Sequence, residues 1–312
     1  MKRSNRLVDN MGVLGQLGFM VAFLSAGVAA GHFGLLTDRR TDILTTLVFT
    51  VALPALIFRS TYNRPLREII SPALLGGFWA VIALTITLGW LVHRRLESPD
   101  RRSVSVVQSY HSNMGFLGLP LVAATMGSEA TAVASVILGI GAVTHVPVTV
   151  FLLVRINGSD ASLLGECRKL VTNPVLIALA AGITASVLSL SVPEPLVGAL
   201  GPPAELALPV ALLCIGATLD TDLPVSDLQK TVSVVGLKVL WMPALAWLVY
   251  SSLSMDTTAL GAAVVMLGTP TAVSTYVYTT ELGGDAAFAS LNVFTSTVVS
   301  IGTLSLLVWL FT

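Results

Sequence analysis

The sequence predicts an all-α membrane protein of ten transmembrane helices, arranged as two inverted five-helix repeats with the fourth and ninth helices broken. Three observations carry this: scarce charge, apolar stretches of membrane-crossing length, and an internal duplication centred on Gly/Pro motifs. Of 312 residues, 54% are hydrophobic and 11% charged, with a mean hydropathy of +0.85. A soluble chain carries about 25% charged residues because its surface faces water. Here charge is missing from stretches of about 20 residues, which at about 1.5 Å per residue cross a hydrocarbon core of about 30 Å.

Charged or Pro/Gly-rich breaks divide the chain into spans near residues 11–36, 43–60, 71–92, 104–126, 129–154, 172–190, 195–219, 230–250, 258–281 and 284–311. The basic start (Lys2, Arg3, Arg6) before an apolar run resembles a signal peptide. The run from Met11 to Leu36 is long for one, and Asp9 interrupts the basic stretch, so it reads as the first span. No connecting loop reaches 20 residues, which leaves no soluble domain. Six Lys/Arg fall on the side of the termini, including Arg59, Arg64 and Arg67, and ten on the other, among them Arg39, Arg101, Arg155 and Lys230. The basic excess puts the central loop in the cytoplasm and both termini outside, in a plasma or inner membrane.

The duplication is the strongest internal signal. Ala52-Leu53-Pro54 in the second span returns as Ala207-Leu208-Pro209, 155 residues on. Leu117-Gly118-Leu119-Pro120 in the fourth returns as Leu267-Gly268-Thr269-Pro270, 150 residues on. Gly127-Ser128-Glu129-Ala130 at the start of the fifth has its counterpart in Gly284-Asp285-Ala286 at the start of the tenth. The repeats are thus 11–154 and 172–311. Five helices is an odd number, so the second repeat enters from the opposite side. Inverted repeats with interrupted helices at matching positions point to a secondary transporter.

The chain resembles the auxin efflux carrier family, in its short bacterial form, over nearly its full length. The stretches that carry the resemblance are FTVALPALIF from Phe49, NMGFLGLPL from Asn113, NPVLIALAAGI from Asn173, LPVALLCIGATL from Leu208, LKVLWMP from Leu237, and GTPTAVSTYVY with GGDAAFAS from Gly268 onward. The resemblance implies a fold shared with bile-acid sodium symporters and sodium/proton antiporters. Helices 1, 2, 6 and 7 would then be a scaffold that often dimerises. Helices 3–5 and 8–10 would be a moving transport domain, with helices 4 and 9 crossing at their breaks. It also implies a small organic anion, a carboxylate, as substrate, an asparagine ligand at Asn113 and a lysine at Lys238. Two departures fall where substrate would sit: Ser274 stands in place of the usual ninth-helix asparagine, and His111-Ser112 in place of Phe-Pro.

Read from the residues alone, Pro120 and Pro270 interrupt the helix ladder, and Gly115, Gly118 and Gly268 supply flexibility. Thr269-Pro270 reads as an N-cap followed by the first position of a half-helix, with a counterpart starting near Pro120. Two helix N-termini facing one spot make an anion site without a cationic side chain. Asn113, Thr271, Ser274, Thr275 and Tyr276 are the polar side chains near the breaks. For the hydroxyl groups a bond to a neighbouring helix is the favoured role, and for Tyr276 interior packing. For Asn113 it is ligand contact. Ionisable groups inside the spans are His111, His145, Glu205 and Lys238. Of these His111, Lys238 and Glu205 are candidates for proton coupling.

Sodium coupling of the bile-acid type is the alternative within transporters. An anion channel and an intramembrane enzyme are the alternatives from other classes. No HExxH occurs, the four His residues show no metal spacing, and Leu282-Gly283-Gly284-Asp285 lacks the first glycine of a GxGD protease motif. No metal or cofactor is expected. Zero net charge with no basic tail gives no nucleic-acid partner. The expected partners are a small organic anion, a proton or sodium ion, membrane lipid, and a second copy docked through the scaffold helices.

Overall fold

A computed structural model describes residues 21–64, 69–96, 98–158, 163–218 and 228–312, with Gly15, Gly18 and Phe19 before them. The expected start of the first span at Met11, together with Lys2, Arg3, Arg6, Arg67 and the Cys167 side chain, lies outside the described residues. The chain is helical throughout this part. Among the described residues, six helices are long and apolar enough to cross a membrane: α2 (Asp38–Thr61), α3 (Pro72–His93), α5 (Gly127–Asn157), α7 (Glu194–Thr218), α8 (Leu228–Ser252) and α10 (Ala286–Phe311). The remaining apolar segments are shorter. They are α1 (Val21–His32), α4b (Met114–Thr125), α6 (Pro174–Val187) and α9a (Thr257–Leu267), with α4a (Pro99–Tyr110) and α9b (Ser274–Glu281) completing the two interrupted helices. A connecting helix, Leu163–Val171, precedes α6.

Local chemistry sets the helix starts. Ser71 accepts from the Leu74 amide at 3.1 Å with Pro72 at the first helical position, and Asn173 accepts from Val175 at 2.9 Å with Pro174 following. Asp256 caps α9a through Ala259 at 2.9 Å, and Asp285 caps α10 through Phe288 at 2.9 Å. Each supplies an acceptor to amides that lack an intrahelical partner. Asp285 also takes the Arg101 guanidinium at 2.7 Å, tying α10 to the start of α4a. Burial pushes the Asp285 carboxyl up, but the Phe288 amide and Arg101 outweigh it and hold it below the usual carboxylate range.

Three of the prolines that sit inside helices share one device. Pro54, Pro120 and Pro243 each follow a wide turn closed five residues back: Leu53 N to Val48 O, Leu119 N to Met114 O, and Met242 N to Leu237 O. A proline ring collides with the carbonyl four residues earlier, which in each case lies inside the wide turn, and the widening moves that carbonyl aside. This corrects the expectation for Pro120. It lies one turn inside α4b, and the helix breaks earlier, at His111–Asn113.

The helices pack in two groups. α6 and the 201–205 part of α7 lie on the second half of α2, while the rest of α7 lies on its first half. α3 contacts α4a and α8; α5 contacts α4a, α4b and α9a; α10 contacts α8, α9a and α9b. α1 meets α7 backbone to backbone at Gly27 and Gly216. A β-carbon on Gly27 would strike the Leu213 carbonyl, and one on Gly216 the Leu24 carbonyl. In lipid, where apolar surface gains nothing by leaving water, such small-residue contacts hold helices together through close packing.

Gly216→Ala should therefore lower stability by about 1–3 kcal/mol, the usual cost of forcing atoms into a packed contact. Gly302→Ala on α10, where no atom lies within 4 Å of the new carbon, should not. Melting of the two variants in detergent checks this, and equal midpoints would contradict it.

Candidate functional site

The two interrupted helices meet at their interruptions. α4a ends at Tyr110, and His111 (φ −74°, ψ 98°) and Asn113 (φ −79°, ψ 61°) leave the helical region before α4b begins at Met114. On the other side α9a ends at Leu267 and α9b begins at Ser274. The freed segments run antiparallel and pair through Ser112 and Thr271. The Asn113 amide donates to the Pro270 carbonyl at 2.8 Å, and the Ala272 amide to the His111 carbonyl at 2.9 Å. Each break satisfies the other's backbone.

This corrects a second expectation. Thr269 and Pro270 do not cap and open α9b; they belong to the extended segment, and α9b starts four residues after Pro270. Proline suits this place because it brings a carbonyl for Asn113 and no N–H to leave unpaired. Nor do the nearby glycines act through special backbone freedom, as neither Gly118 nor Gly268 has positive φ. Both are sites of close approach. A β-carbon on Gly118 would meet Met266 Sδ at 2.9 Å, and one on Gly268 would meet Leu307 Cδ1 at 2.8 Å.

Around this junction the side chains form two polar groups. Gln108 anchors the first. Its amide donates to Thr275 Oγ1 at 3.0 Å and to the Ala289 carbonyl at 3.1 Å, and its oxygen accepts from Asn292 Nδ2 at 2.9 Å. The Thr271 hydroxyl donates to the Gln108 carbonyl, and the Thr271 amide donates to Ser296 Oγ at 3.3 Å. Thr275 donates to the Ala272 carbonyl at 2.6 Å, which closes the segment onto α9b.

The second group lies at the C-terminal end of α9a. Lys238, fully buried on α8, donates to the Leu267 carbonyl at 2.8 Å, and the Ser112 hydroxyl donates to the same oxygen at 3.2 Å. A cation at a helix C-terminus faces its negative dipole end. His111 Nδ1 lies 2.8 Å from Thr149 Oγ1 on α5, which lies 2.8 Å from the Tyr110 hydroxyl.

Of the residues singled out from the sequence, Asn113, Gly118, Pro120, Thr269, Pro270, Thr271, Thr275, His111 and Lys238 are buried at or beside the junction. Gly115 is half-buried in the first turn of α4b. Ser274 and Tyr276 are exposed at the start of α9b, so Tyr276 is not interior packing. Glu205 stays outside the group, exposed on the part of α7 that packs against α2. Asn113 is 4% exposed; its side-chain amide makes no hydrogen bond among the described residues, but it is not one of the polar groups sealed off without a partner. Sequence reasoning passed over Gln108, Asn292 and Ser296. The signal was there: Gln108 and Asn292 are amides inside apolar spans, which must find partners in hydrocarbon.

The junction is closed on one side by a mostly apolar seam. Leu24 of α1 and Leu212 and Ile215 of α7 face Leu117 of α4b and Thr297, Ser300, Ile301 and Leu304 of α10 around a void of about 10 Å³. A larger cavity of about 590 Å³ opens elsewhere, at the end of the molecule where α2 runs into α3, α5 begins and α8 runs into α9a. Arg64, Ser71, Glu129, Asp256 and Thr258 are among its lining residues.

Comparison with known proteins gives the same direction as the geometry. The chain is 25% identical over 294 residues to a Rhizobium meliloti protein named "Putative malonate transporter", covering 89% of this chain and 91% of that one. It is 27% identical over 282 residues to an "Uncharacterized transporter" of Methanothermobacter thermautotrophicus, covering 88% and 90%. The family described as "Membrane transport protein" matches residues 15–163 and again 161–310. With nearly its whole length so matched, the chain belongs to this membrane transport protein family, the auxin efflux carriers.

Proposed function

We propose that this transporter is a secondary carrier of a small carboxylate, working by alternating access at the junction of α4 and α9. The observation that carries the reading is the Asn113 side chain, which sits at the junction just before α4b and makes no hydrogen bond among the described residues. An amide so placed is free to donate to a bound carboxylate, and a hydrogen bond to a charged group is worth about 1.5–3 kcal/mol. The N-termini of α4b and α9b add partial positive charge at the same place. The Rhizobium relative's name supports malonate as the first compound to try.

In this reading the chain has ten spans in two inverted repeats, 11–154 and 172–311, and the doubled family match supports that division. α1, α2, α6 and α7 serve as scaffold and as the face for a homodimer. α3–α5 and α8–α10 move against them along a mostly apolar seam, with the buried hydrogen bond between Ser60 of α2 and Ser135 of α5, 2.8 Å, the polar contact to be broken. Proton coupling is the favoured drive. The excess of Lys/Arg opposite the termini supports a cytoplasmic central loop, which would place the 590 Å³ cavity on the outer face.

Two outcomes are expected. In proteoliposomes loaded for malonate counterflow, Asn113→Ala should weaken apparent affinity about 10- to 100-fold, the loss of one hydrogen bond to a charged group at about 1.5–3 kcal/mol. Asn113→Asp should transport less still, through like-charge repulsion. Unchanged affinity in the alanine variant would remove Asn113 from the site. Second, with Cys167 and Cys214 replaced by alanine, Thr258→Cys in the cavity wall should react with a membrane-impermeant maleimide added outside intact cells. Labelling only in inverted vesicles would reverse the orientation.

A further inference from the structure

Beside the junction sit two imidazoles for which the carboxylate site has no use. His145, on α5, is 3% exposed, and its Nε2 is buried with no hydrogen-bond partner. Its ring centroid lies 4.6 Å from that of His111. The rings of Phe78 on α3 and Tyr110 on α4a close on it at 5.8 and 5.6 Å. Among the described residues, the titratable and charged groups facing the pair are Tyr110 from α4a and Lys238 from α8. α3 presents only Phe78, and α5 adds the Thr149 hydroxyl that bonds His111. α9a presents the Leu267 carbonyl, already taken by Lys238 and Ser112.

We propose that His111 and His145 form a shared proton site, and that carboxylate binding at Asn113 loads it, so that anion and proton cross together. This rests on the carboxylate reading given above. With the Nδ1–H tautomer at His145, the free Nε2 lone pair accepts the proton, which comes from water as the anion binds and returns to water as it leaves. Two imidazolium rings this close, beside an ammonium, repel, so the pair takes one proton rather than two. The link to the anion is short. His111 is two residues from Asn113, and its carbonyl is bonded to Ala272 within the junction. A negative charge there favours the charged imidazole, and by reciprocity the charged imidazole favours the anion by the same factor.

The test uses the purified full chain in weakly buffered detergent. A pH-indicator dye counts protons and calorimetry counts bound malonate, at pH values where malonate itself is fully ionised. Wild-type protein should take up close to one proton per malonate bound, and malonate affinity should rise by up to tenfold for each unit fall in pH. His145→Gln keeps a polar side chain at the position, and should bind malonate with a pH-independent affinity and no proton uptake. Should that variant not fold, the wild-type uptake and pH dependence decide alone. Malonate binding without proton uptake, or full uptake in His145→Gln, would overturn the proton site while leaving the carboxylate reading in place. No malonate binding by the wild-type protein would overturn both.

Discussion

The arrangement depends on one constraint: a helix broken in hydrocarbon frees backbone groups that water cannot reach. Each such group left unpaired costs several kcal/mol in a bilayer. One break alone would be hard to hold. Two breaks placed against each other cancel much of the cost, since Asn113 N finds Pro270 O and Ala272 N finds His111 O. The duplication in the sequence is therefore a condition of stability as well as a trace of history, because each half supplies what the other lacks.

The pairing is not symmetric in its side chains. At the end of α4a the freed Gln108 carbonyl is met by the neutral Thr271 hydroxyl, whereas at the end of α9a the Leu267 carbonyl is met by the Lys238 ammonium. Asn113 likewise has no amide facing it from α9b, whose first residue is the exposed Ser274. The ionisable side chains thus gather on the side of α4, α5 and α8, opposite the neutral Gln108–Asn292 group shared with α9b and α10. That is where Asn113, His111, His145 and Lys238 lie.

The sequence made the large features readable because hydropathy and proline motifs are local signals. Charge-free stretches located the long helices α2, α3, α5, α7, α8 and α10 within a few residues, and the repeated Leu-Gly-x-Pro motif located the region of both breaks. The break positions themselves were not readable. The motif points to the proline as the break, yet Pro120 is absorbed by the wide turn Met114–Gly118 and the helix breaks before it. Ser274 and Tyr276 share the motif but are exposed, on a helix that starts only after Val273 (φ −57°, ψ −33°) turns the chain into α9b. Gln108 and Asn292 are 184 residues apart, and nothing local announces that they bond.

The same bonds limit how the molecule can move. Gln108 joins α4a to α9b and α10, Thr271 joins the α9 segment to α4a and α10, and Lys238 joins α8 to α9a. A substrate-driven shift of α4 against α9 would break several buried bonds at once, each costing about 1–3 kcal/mol. Across the seam of Leu24, Leu212 and Ile215 against Leu117, Ile301 and Leu304 the facing groups are mostly apolar, and the buried bond that joins α2 to α5 is the one between the Ser60 and Ser135 hydroxyls at 2.8 Å. The bonds of Gln108, Thr271 and Lys238 tie α4, α8, α9 and α10 together around the junction. On the far side of the seam, Gly27 and Gly216 bring α1 and α7 backbone to backbone.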